Sequence, residues 1–297
     1  MKLSAFCVVI VLAVACRLAG LCAAKEGTAR TGFVNLSFSV GKVKRTAAIY
    51  VPPGYDKSKA WPLIVYLHGG GGNGDNASNA VNRWLNGQAI VRAIRKHPER
   101  FPALVLIPRC PRGKIWSPAP PDPVQSPWRL RRHGRKTVPN AEDHITKAID
   151  AAMAAYTVDK DRVTLTGNSM GGEGTTLYAG LHADRLAGIA PTAGSAVIVL
   201  KDAPTLARMG VWIFQGENDR ISTAVLARRM VAAIRAAGGK PNYTEYKGEG
   251  HGVVRHVFDD AKVIEWLLKQ KRRPPAPKDK KPGPKPPDRK KAEGKAP

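Results

Sequence analysis

The chain has 297 residues, of which 43% are apolar, and its formal net charge is +25. This length is sufficient for one sizeable core, and the apolar share excludes a wholly disordered chain. Residues 271–297 contribute an excess of eight positive charges and the first 24 residues an excess of two, which leaves +15 for residues 25–270. The cationic character therefore belongs to the main body of the chain as well as to its tail.

The first residues have the features of an export signal. A positive charge near the start precedes an unbroken apolar run, Ala5–Ala15, and small residues follow at 22–24. Such a run is too short to span a bilayer, so we predict a signal peptide over residues 1–24 and a secreted or periplasmic protein. Acylation of Cys16 or Cys22, which would anchor the chain as a lipoprotein, is an alternative.

Only one cysteine, Cys110, lies outside this leader, so the processed chain could form no internal disulfide. An exported domain without disulfides must be stabilised by its core alone. The sequence Pro108–Pro111 around this cysteine is typical of a rigid strand exit. We therefore interpret Cys110 as a structural thiol rather than a catalytic one.

The pattern of apolar residues predicts a layered α/β domain. Two β-rich stretches, Phe33–Ser39 and Thr46–Val51, could pair as an antiparallel edge. The strands predicted after them are Leu63–Leu67, Leu104–Ile107, Val163–Leu165, Val211–Phe214 and Tyr243–Tyr246. The helical patterns cover Ala80–Arg95, Ala141–Tyr156, Met170–Leu181, Thr223–Ala237 and Val254–Lys269. This alternation favours a mostly parallel central sheet with helices on both faces and ligands bound beyond the carboxyl ends of its strands.

Two segments depart from that pattern. Residues 117–139 are rich in proline and arginine and form a predicted basic loop inserted after a strand. Residues 271–297 contain eight prolines among lysines and arginines, a composition typical of a disordered tail. The predicted folded domain is therefore residues 25–270.

A candidate nucleophile lies in the sequence Gly167–Gly171, which follows a predicted strand and opens a predicted helix. Such a turn is too tight for neighbouring β-carbons, so it projects its serine, Ser169, from a strained elbow. The next backbone N–H, that of Met170, would then face a developing oxyanion. The alternative is an ordinary serine in a glycine-rich turn.

A second glycine-rich loop, His68–Gly72, follows the first central strand. It would allow a backbone N–H, that of Gly70 by our choice, to complete an oxyanion hole with Met170. No Gly-Lys-Ser/Thr sequence follows, which argues against a phosphate-binding loop.

A serine hydroxyl needs a base, and an imidazole is suited to that task near neutral pH. His251 lies in a flexible loop before the last helix, and the chain order serine, acid, histidine selects it. The acid should follow the strand Val211–Phe214, where Asp219 is the first choice and Glu217 the reserve. A helix-capping role for Asp219 is the alternative.

These motifs resemble a family of exported esterases related to feruloyl esterases, carboxylesterases and the predicted-peptidase branch near prolyl oligopeptidase. The resemblance covers roughly residues 45–268. It is carried by Leu67–Gly71, Phe101-Pro102, Pro108–Pro111 with Trp116, Asp161–Val163, Leu165–Gly167, Ser169–Gly172, Gly174-Thr175, Gly216 with Asp219, and Gly250-His251. It implies an α/β-hydrolase fold with Ser169, Asp219 and His251 as its triad. Asn168, Arg109 and Glu173 depart from the usual Leu, Gln and aromatic residue.

We therefore expect a serine esterase that works through an acyl-enzyme intermediate, without a cofactor or metal. A serine peptidase of the prolyl-oligopeptidase type is one alternative. A cell-surface binding module on a non-catalytic hydrolase fold is another, although intact serine, aspartate and histidine candidates argue against it.

Three residues in and near the insertion are candidates for substrate binding. Trp116 and Trp128 could stack on a sugar or phenolic ring, and Arg131 could favour a substrate that bears a carboxylate, including an ester linked to a polysaccharide. A solvated basic loop is the alternative. The tail could contact an anionic polymer or membrane surface, and no specific nucleic acid is predicted.

Overall fold

The computed structural model describes residues 31–74, 84–116, 138–194 and 201–273. Eight strands of these ranges form one sheet. They are β1 (Gly32–Val40), β2 (Val43–Val51), β3 (Trp61–Leu67), β4 (Leu104–Ile107), β5 (Val158–Asn168), β6 (Gly188–Thr192), β7 (Gly210–Gly216) and β8 (Asn242–Tyr246). Within these ranges no helix is both long and apolar enough to cross a membrane.

The strand order is β1-β2-β4-β3-β5-β6-β7-β8. Strands β1 and β2 pair antiparallel, as predicted, and β2 pairs antiparallel with β4. The remaining neighbours are parallel. The predicted mostly parallel sheet is therefore confirmed. The pattern missed β6, because its sequence Gly188–Thr192 combines glycine, alanine and proline rather than a β-branched run.

Helices cover the sheet. They are α1 (Ala89–Lys96), α2 (Glu142–Ala155), α3 (Met170–Leu181), α4 (Ala203–Leu206), α5 (Ala224–Ala236), α6 (Val254–Val257) and α7 (Ala261–Lys269). The single helix predicted over 254–269 is divided in two. The Asp260 side chain accepts the N–H of Lys262 at 2.9 Å and so caps a new helix within the predicted one.

Two hydrophobic clusters lie on the two faces of the sheet. One contains Val65, Leu106 and Ile149 from strands and helix α2, and the other contains Ile64 and Val105 with residues of α7. Because successive side chains of a strand point to opposite faces, the continuous apolar runs of β3 and β4 supply both clusters. The sheet is thus a rigid platform whose strand ends carry the polar groups.

The folded part extends beyond the predicted boundary at residue 270. The N–H of Arg272 donates to the carbonyl oxygen of Asp161 at 2.7 Å, and its guanidinium donates to Asp161 Oδ1 and to the carbonyl oxygen of Asp184. Two residues past the predicted boundary, Arg272 is therefore still bonded to the folded domain. The leader and residues 274–297 lie outside the described residues.

Candidate active site

Ser169 occupies a sharp turn between β5 and α3. Its φ is 56° and its ψ is −119°, a left-handed conformation that costs a non-glycine residue roughly 1–3 kcal/mol. Glycine is required on both sides: a β-carbon at Gly171 would lie 1.9 Å from the carbonyl oxygen of Leu67, and one at Gly167 would lie 2.5 Å from that of Gly171. This crowding places the serine at the carboxyl end of β5.

The imidazole of His251 lies between Ser169 and Asp219. Its Nε2 is 2.8 Å from Ser169 Oγ, and its Nδ1 is 2.8 Å from Asp219 Oδ2. A carboxylate can only accept, so the ring proton belongs on Nδ1, and Nε2 is left to accept from the hydroxyl. The three residues follow the carboxyl ends of β5, β7 and β8, and the structure brings all three together.

The carboxylate of Asp219 is buried and fixed from several sides. Its Oδ1 accepts the backbone N–H groups of Ile221 at 2.8 Å and Ser222 at 2.9 Å. Burial would raise its pKa, but the hydrogen bonds from His251 and the two N–H groups outweigh burial, so the pKa of Asp219 lies below its usual range. The group is therefore ionised at neutral pH and hydrogen-bonded on both oxygens.

Gln215 is a part of this arrangement that the sequence analysis missed. It is buried at the end of β7, and its Nε2 donates to Asp219 Oδ2 at 3.0 Å and to the carbonyl oxygen of Ser222 at 2.6 Å. It thus fixes the carboxylate relative to the loop that carries it. The available signal was a polar residue directly after the apolar run Val211–Phe214, four positions before the acid.

The reserve acid, Glu217, points elsewhere. Its Oε2 accepts the N–H of Gly248 at 2.7 Å. That bond ties the β7 and β8 loops together, and it leaves Asp219 as the carboxylate hydrogen-bonded to His251.

The loop His68–Gly72 runs past the nucleophile. A β-carbon at Gly69 would lie 3.5 Å from Ser169 Cβ, so the peptide that joins Gly69 to Gly70 is beside the serine. Met170 is the first residue of α3, and its N–H therefore has no acceptor within the helix. The start of the glycine-rich loop and the first residue of α3 thus approach the serine from two separate elements. The choice of Gly70 and Met170 as the oxyanion donors stays a prediction.

His68 holds this loop rather than acting as a base. It is fully buried, with Nε2 accepting the N–H of Cys110 at 2.9 Å and Nδ1 bonded to the carbonyl oxygen of Gly69 at 2.7 Å. Burial lowers its pKa to about 4, and the charge of Arg109 acts in the same direction. Cys110 is itself buried, and burial raises the pKa of its thiol, as expected for a structural cysteine.

Arg109 also secures the glycine-rich loop. Its Nε donates to the carbonyl oxygen of Gly72 at 2.9 Å, and its guanidinium lies over the ring of Trp84. This departure from the esterase pattern therefore has a structural role in positioning the loop.

Trp116 does not fit its predicted role in substrate stacking. Only 1% of the residue is exposed, its ring packs on that of His68, and its indole N–H donates to the carbonyl oxygen of His68 at 2.9 Å. It is a core residue beneath the glycine-rich loop. Trp128 and Arg131 lie outside the described residues, as does most of the insertion at 117–139. Within the described ranges, no group of three or more His, Cys, Asp or Glu side chains could hold a metal ion.

Residues 104–262, more than half of the chain, match the family model described as the dienelactone hydrolase family. The chain belongs to the dienelactone hydrolase family. This match covers Ser169, Asp219 and His251, but not the glycine-rich loop before β4. A comparison of the sequence with curated proteins gives no match.

Solved structures show the same fold. A thermostable esterase superposes with a TM-score of 0.67 at 25% identity, over 81% of this chain and 63% of that one. A ferulic acid esterase gives a TM-score of 0.52 at 16% identity, over 79% of this chain and 98% of that one. An acylaminoacyl peptidase from Pyrococcus horikoshii gives 0.57 at 13% identity, over 84% of this chain and 44% of that one. This member of the family therefore has the α/β-hydrolase fold, and it spans less than two thirds of the first and third of these relatives.

Proposed function

We propose that this protein hydrolyses carboxylic esters through an acyl-enzyme intermediate on Ser169. The observation that carries the proposal is the unbroken hydrogen-bonded series from Ser169 Oγ through His251 to Asp219. A hydroxyl is a poor nucleophile until a base accepts its proton, and this geometry supplies the base at hydrogen-bonding distance. Membership of a hydrolase family supports the same conclusion.

In the first step, Ser169 Oγ attacks the ester carbonyl carbon while its proton passes to His251 Nε2. The carbonyl oxygen becomes an oxyanion, and we propose that it accepts hydrogen bonds from the backbone N–H groups of Met170 and Gly70. The resulting imidazolium is stabilised by the carboxylate of Asp219, which stays ionised and takes up no proton during the cycle.

Collapse of the tetrahedral intermediate breaks the bond to the alcohol, which leaves with the proton from His251. Water then attacks the acyl-enzyme, giving its proton to the same nitrogen, and the carboxylic acid is released as Ser169 regains its hydroxyl proton. Each proton taken up by His251 is returned within the cycle. The cycle thus needs no group beyond the residues described.

A panel of esters tests which acyl and alcohol groups the substrate contains. The family's name refers to a lactone, which is an internal ester, and one structure of similar fold is a ferulic acid esterase. The panel should therefore contain a lactone, an aryl ester, an acetylated sugar, a feruloyl ester and an acylated peptide. Peptide cleavage without ester cleavage would favour the peptidase alternative.

A fluorophosphonate probe tests the nucleophile directly. We expect the wild-type protein to be labelled on Ser169 and the Ser169→Ala variant to be unlabelled, with both melting at similar temperatures. Ser222→Ala is the control: Ser222 is a buried serine near the acid, and its bond to Asp219 comes from the backbone N–H, which the substitution keeps, so this variant should be labelled like wild type. Labelling of Ser169→Ala equal to wild type would contradict the proposal.

A further inference from the structure

Three recesses lie along the amino ends of the parallel strands, on the edge opposite the candidate active site. They include the first residues of three strands: Trp61 of β3, Gly210 of β7 and Asn242 of β8. Ser169, Asp219 and His251 instead follow carboxyl ends. The seven residues of β7 alone separate the two edges by roughly 20 Å. The recesses are therefore distinct from the candidate active site.

Each recess has a cationic wall. The first, of about 410 Å³, is lined by Arg208, Arg272 and Arg273 with one carboxylate, Asp184. The second, of about 630 Å³, is lined by Lys59, Arg162 and Lys269 with one carboxylate, Glu265. The third, of about 360 Å³, contains Lys240 and shares Arg273 with the first. These volumes lie within the roughly 300–1,000 Å³ typical of ligand pockets.

The recesses are neighbours, and we call them together the basic groove. The first and third share Met209 as well as Arg273. The second and third lie on either side of helix α7, since Trp266 and Gln270 line the third, whereas Glu265, Leu268 and Lys269, on another face of that helix, line the second. A ligand that occupies both would pass over the carboxyl end of α7. The groove thus offers several cationic subsites in succession, which suits an extended ligand rather than a single small ion.

Several of these cations are available to a ligand. Arg208, Lys240 and Arg273 are exposed, and none of them pairs with a carboxylate of the described residues. Arg162 donates to a backbone carbonyl oxygen, that of Leu268, so its charge is not neutralised there. Arg272 differs, because Asp161 and the carbonyl oxygen of Asp184 hold it in place as a fixed part of the wall. In the second recess, Lys59 lies 3.4 Å from Asp56 and Lys269 lies 3.6 Å from Glu265, and both pairs are exposed to solvent. The seven cations of the recesses still outnumber the four carboxylates that line the recesses or pair with these cations, Asp56, Asp161, Asp184 and Glu265, so an excess of positive charge remains for a partner.

Each part of the groove also has an apolar wall next to its cations. Trp61 lines the second recess and Trp266 the third, each half-buried, and Met209 lies between the first and third. A sugar ring that carries a carboxylate has the matching character, with apolar C–H faces and an acidic substituent suited to guanidinium groups. A flat lipid surface would contact the rims of these recesses and leave their aromatic walls unused.

We propose that the basic groove binds an acidic, uronate-bearing polysaccharide and holds the enzyme on it while the opposite edge stays open to substrate. The binding is electrostatic, so it weakens as salt is added. It leaves the turnover of small esters unchanged, because no groove residue touches Ser169, Asp219 or His251.

The test uses the full chain and polygalacturonate, with carboxyl-reduced polygalacturonate as the neutral match. The groove variant is Arg208→Gln/Lys240→Gln/Arg273→Gln. The control, Lys42→Gln/Lys44→Gln/Arg229→Gln, removes the same charge from exposed positions elsewhere. If each exposed ion pair contributes roughly a factor of two, the three changes of the groove variant should raise Kd about eightfold, and the control should raise it less than about twofold. The neutral polymer should not bind.

A site-resolved measurement separates the groove from the tail. Acetylation of lysines in the full chain, followed by mass spectrometry, should show that polygalacturonate protects Lys59, Lys240 and Lys269 but not Lys42 or Lys44. Equal losses in the two variants, or protection absent from the groove lysines, would overturn the proposal. A duplex DNA that binds the groove more tightly than polygalacturonate at the same salt would overturn the choice of partner.

Discussion

The two edges of the sheet hold their polar groups in opposite ways. At the carboxyl edge, Asp219 is buried, accepts hydrogen bonds on both oxygens and fixes His251, which in turn reaches Ser169. At the amino edge, exposed cations such as Arg208 and Lys240 line open recesses and have no carboxylate partner among the described residues. The carboxyl edge is thus characterised by short hydrogen bonds between buried groups, and the amino edge by several exposed positive charges.

This difference determines how each edge should respond to change. Acyl transfer requires reacting atoms held within a few tenths of an ångström, so the loss of one group at the carboxyl edge removes most of the activity. Electrostatic binding sums many weak contacts, so single changes at the amino edge should have small and roughly additive effects. The size of the effect of a single substitution should therefore differ between the two edges.

The largest effect is expected at the nucleophile and its base. Ser169→Ala or His251→Ala should lower kcat by about 10⁴-fold or more, because each removes a group on which the acyl-enzyme depends. Steady-state kinetics with an activated aryl ester measure the loss, and circular dichroism checks that folding is retained. Retention of more than a tenth of wild-type kcat in Ser169→Ala would contradict the assignment.

The two acids near His251 form a matched pair for the next test. Asp219→Asn should lower kcat by about 10⁴-fold, because it no longer stabilises the imidazolium in the correct tautomer. Glu217→Gln should cost little, since Glu217 accepts only the N–H of Gly248. Kinetics of both variants on one ester decide the matter: equal large losses would leave the acid unassigned, and full activity in Asp219→Asn would contradict the choice.

The elbow can be tested through stability. Gly171→Ala places a β-carbon 1.9 Å from the carbonyl oxygen of Leu67, so the backbone must move. We expect a loss of about 3 kcal/mol or more, which corresponds to a fall in Tm of roughly 6–12 °C. Gly71→Ala is the control, since nothing lies within 4 Å of its added carbon. Similar Tm values for the two variants would contradict the strained-turn account.

The hydrogen-bonded arrangement of Ser169, His251 and Asp219 could be predicted from sequence because each residue belongs to a recognisable sequence pattern. The glycines around Ser169 and the short apolar strand before it encode the elbow, and the chain order selects His251 and Asp219. Gln215 was missed because its contact with Asp219 depends on how the loop after β7 folds back. Trp116 was misassigned because an aromatic residue near a loop carries no signal that separates a buried side chain from an exposed one.

Most strands of the sheet could also be predicted from the sequence. Continuous apolar runs identified β3, β4 and β7, whereas β6 lacks such a run and is defined by its parallel pairing with β5 and β7. The basic groove had no sequence signal of its own. Its cations come from five separate segments, at residues 59, 162, 208, 240 and 269–273, and only the sheet topology brings them to one edge.

The ionisation of Asp219 gives a pH-dependent effect on stability. Its folded pKa lies below the ordinary value of 3.8, so its contribution to stability is complete above that value and is lost as pH falls through the folded pKa. The Asp219→Asn variant lacks this contribution. The Tm difference between the two proteins should therefore be constant near about pH 6 and should narrow below about pH 4. A gap that is the same at both pH values would contradict the lowered pKa.

The smallest effect is expected where the chain leaves the folded domain, and it separates a fixed cation of the amino edge from an available one. Arg272 bonds to Asp161 and to the carbonyl oxygen of Asp184, both partly exposed to solvent, whereas the adjacent Arg273 has no such partner among the described residues. Arg272→Ala should lower stability by about 1 kcal/mol, a fall in Tm of roughly 2–4 °C, and Arg273→Ala should leave Tm unchanged.

Two truncated chains test the same difference. A chain that ends at 273 should melt like the full chain, and one that ends at 270 should melt like Arg272→Ala. Scanning calorimetry of these four variants and the full chain makes the comparison, with small-ester turnover as the control that the opposite edge is intact. If the chain that ends at 270 has the same Tm as the full chain, Arg272 is not part of the folded domain and does not form a fixed wall of the first recess.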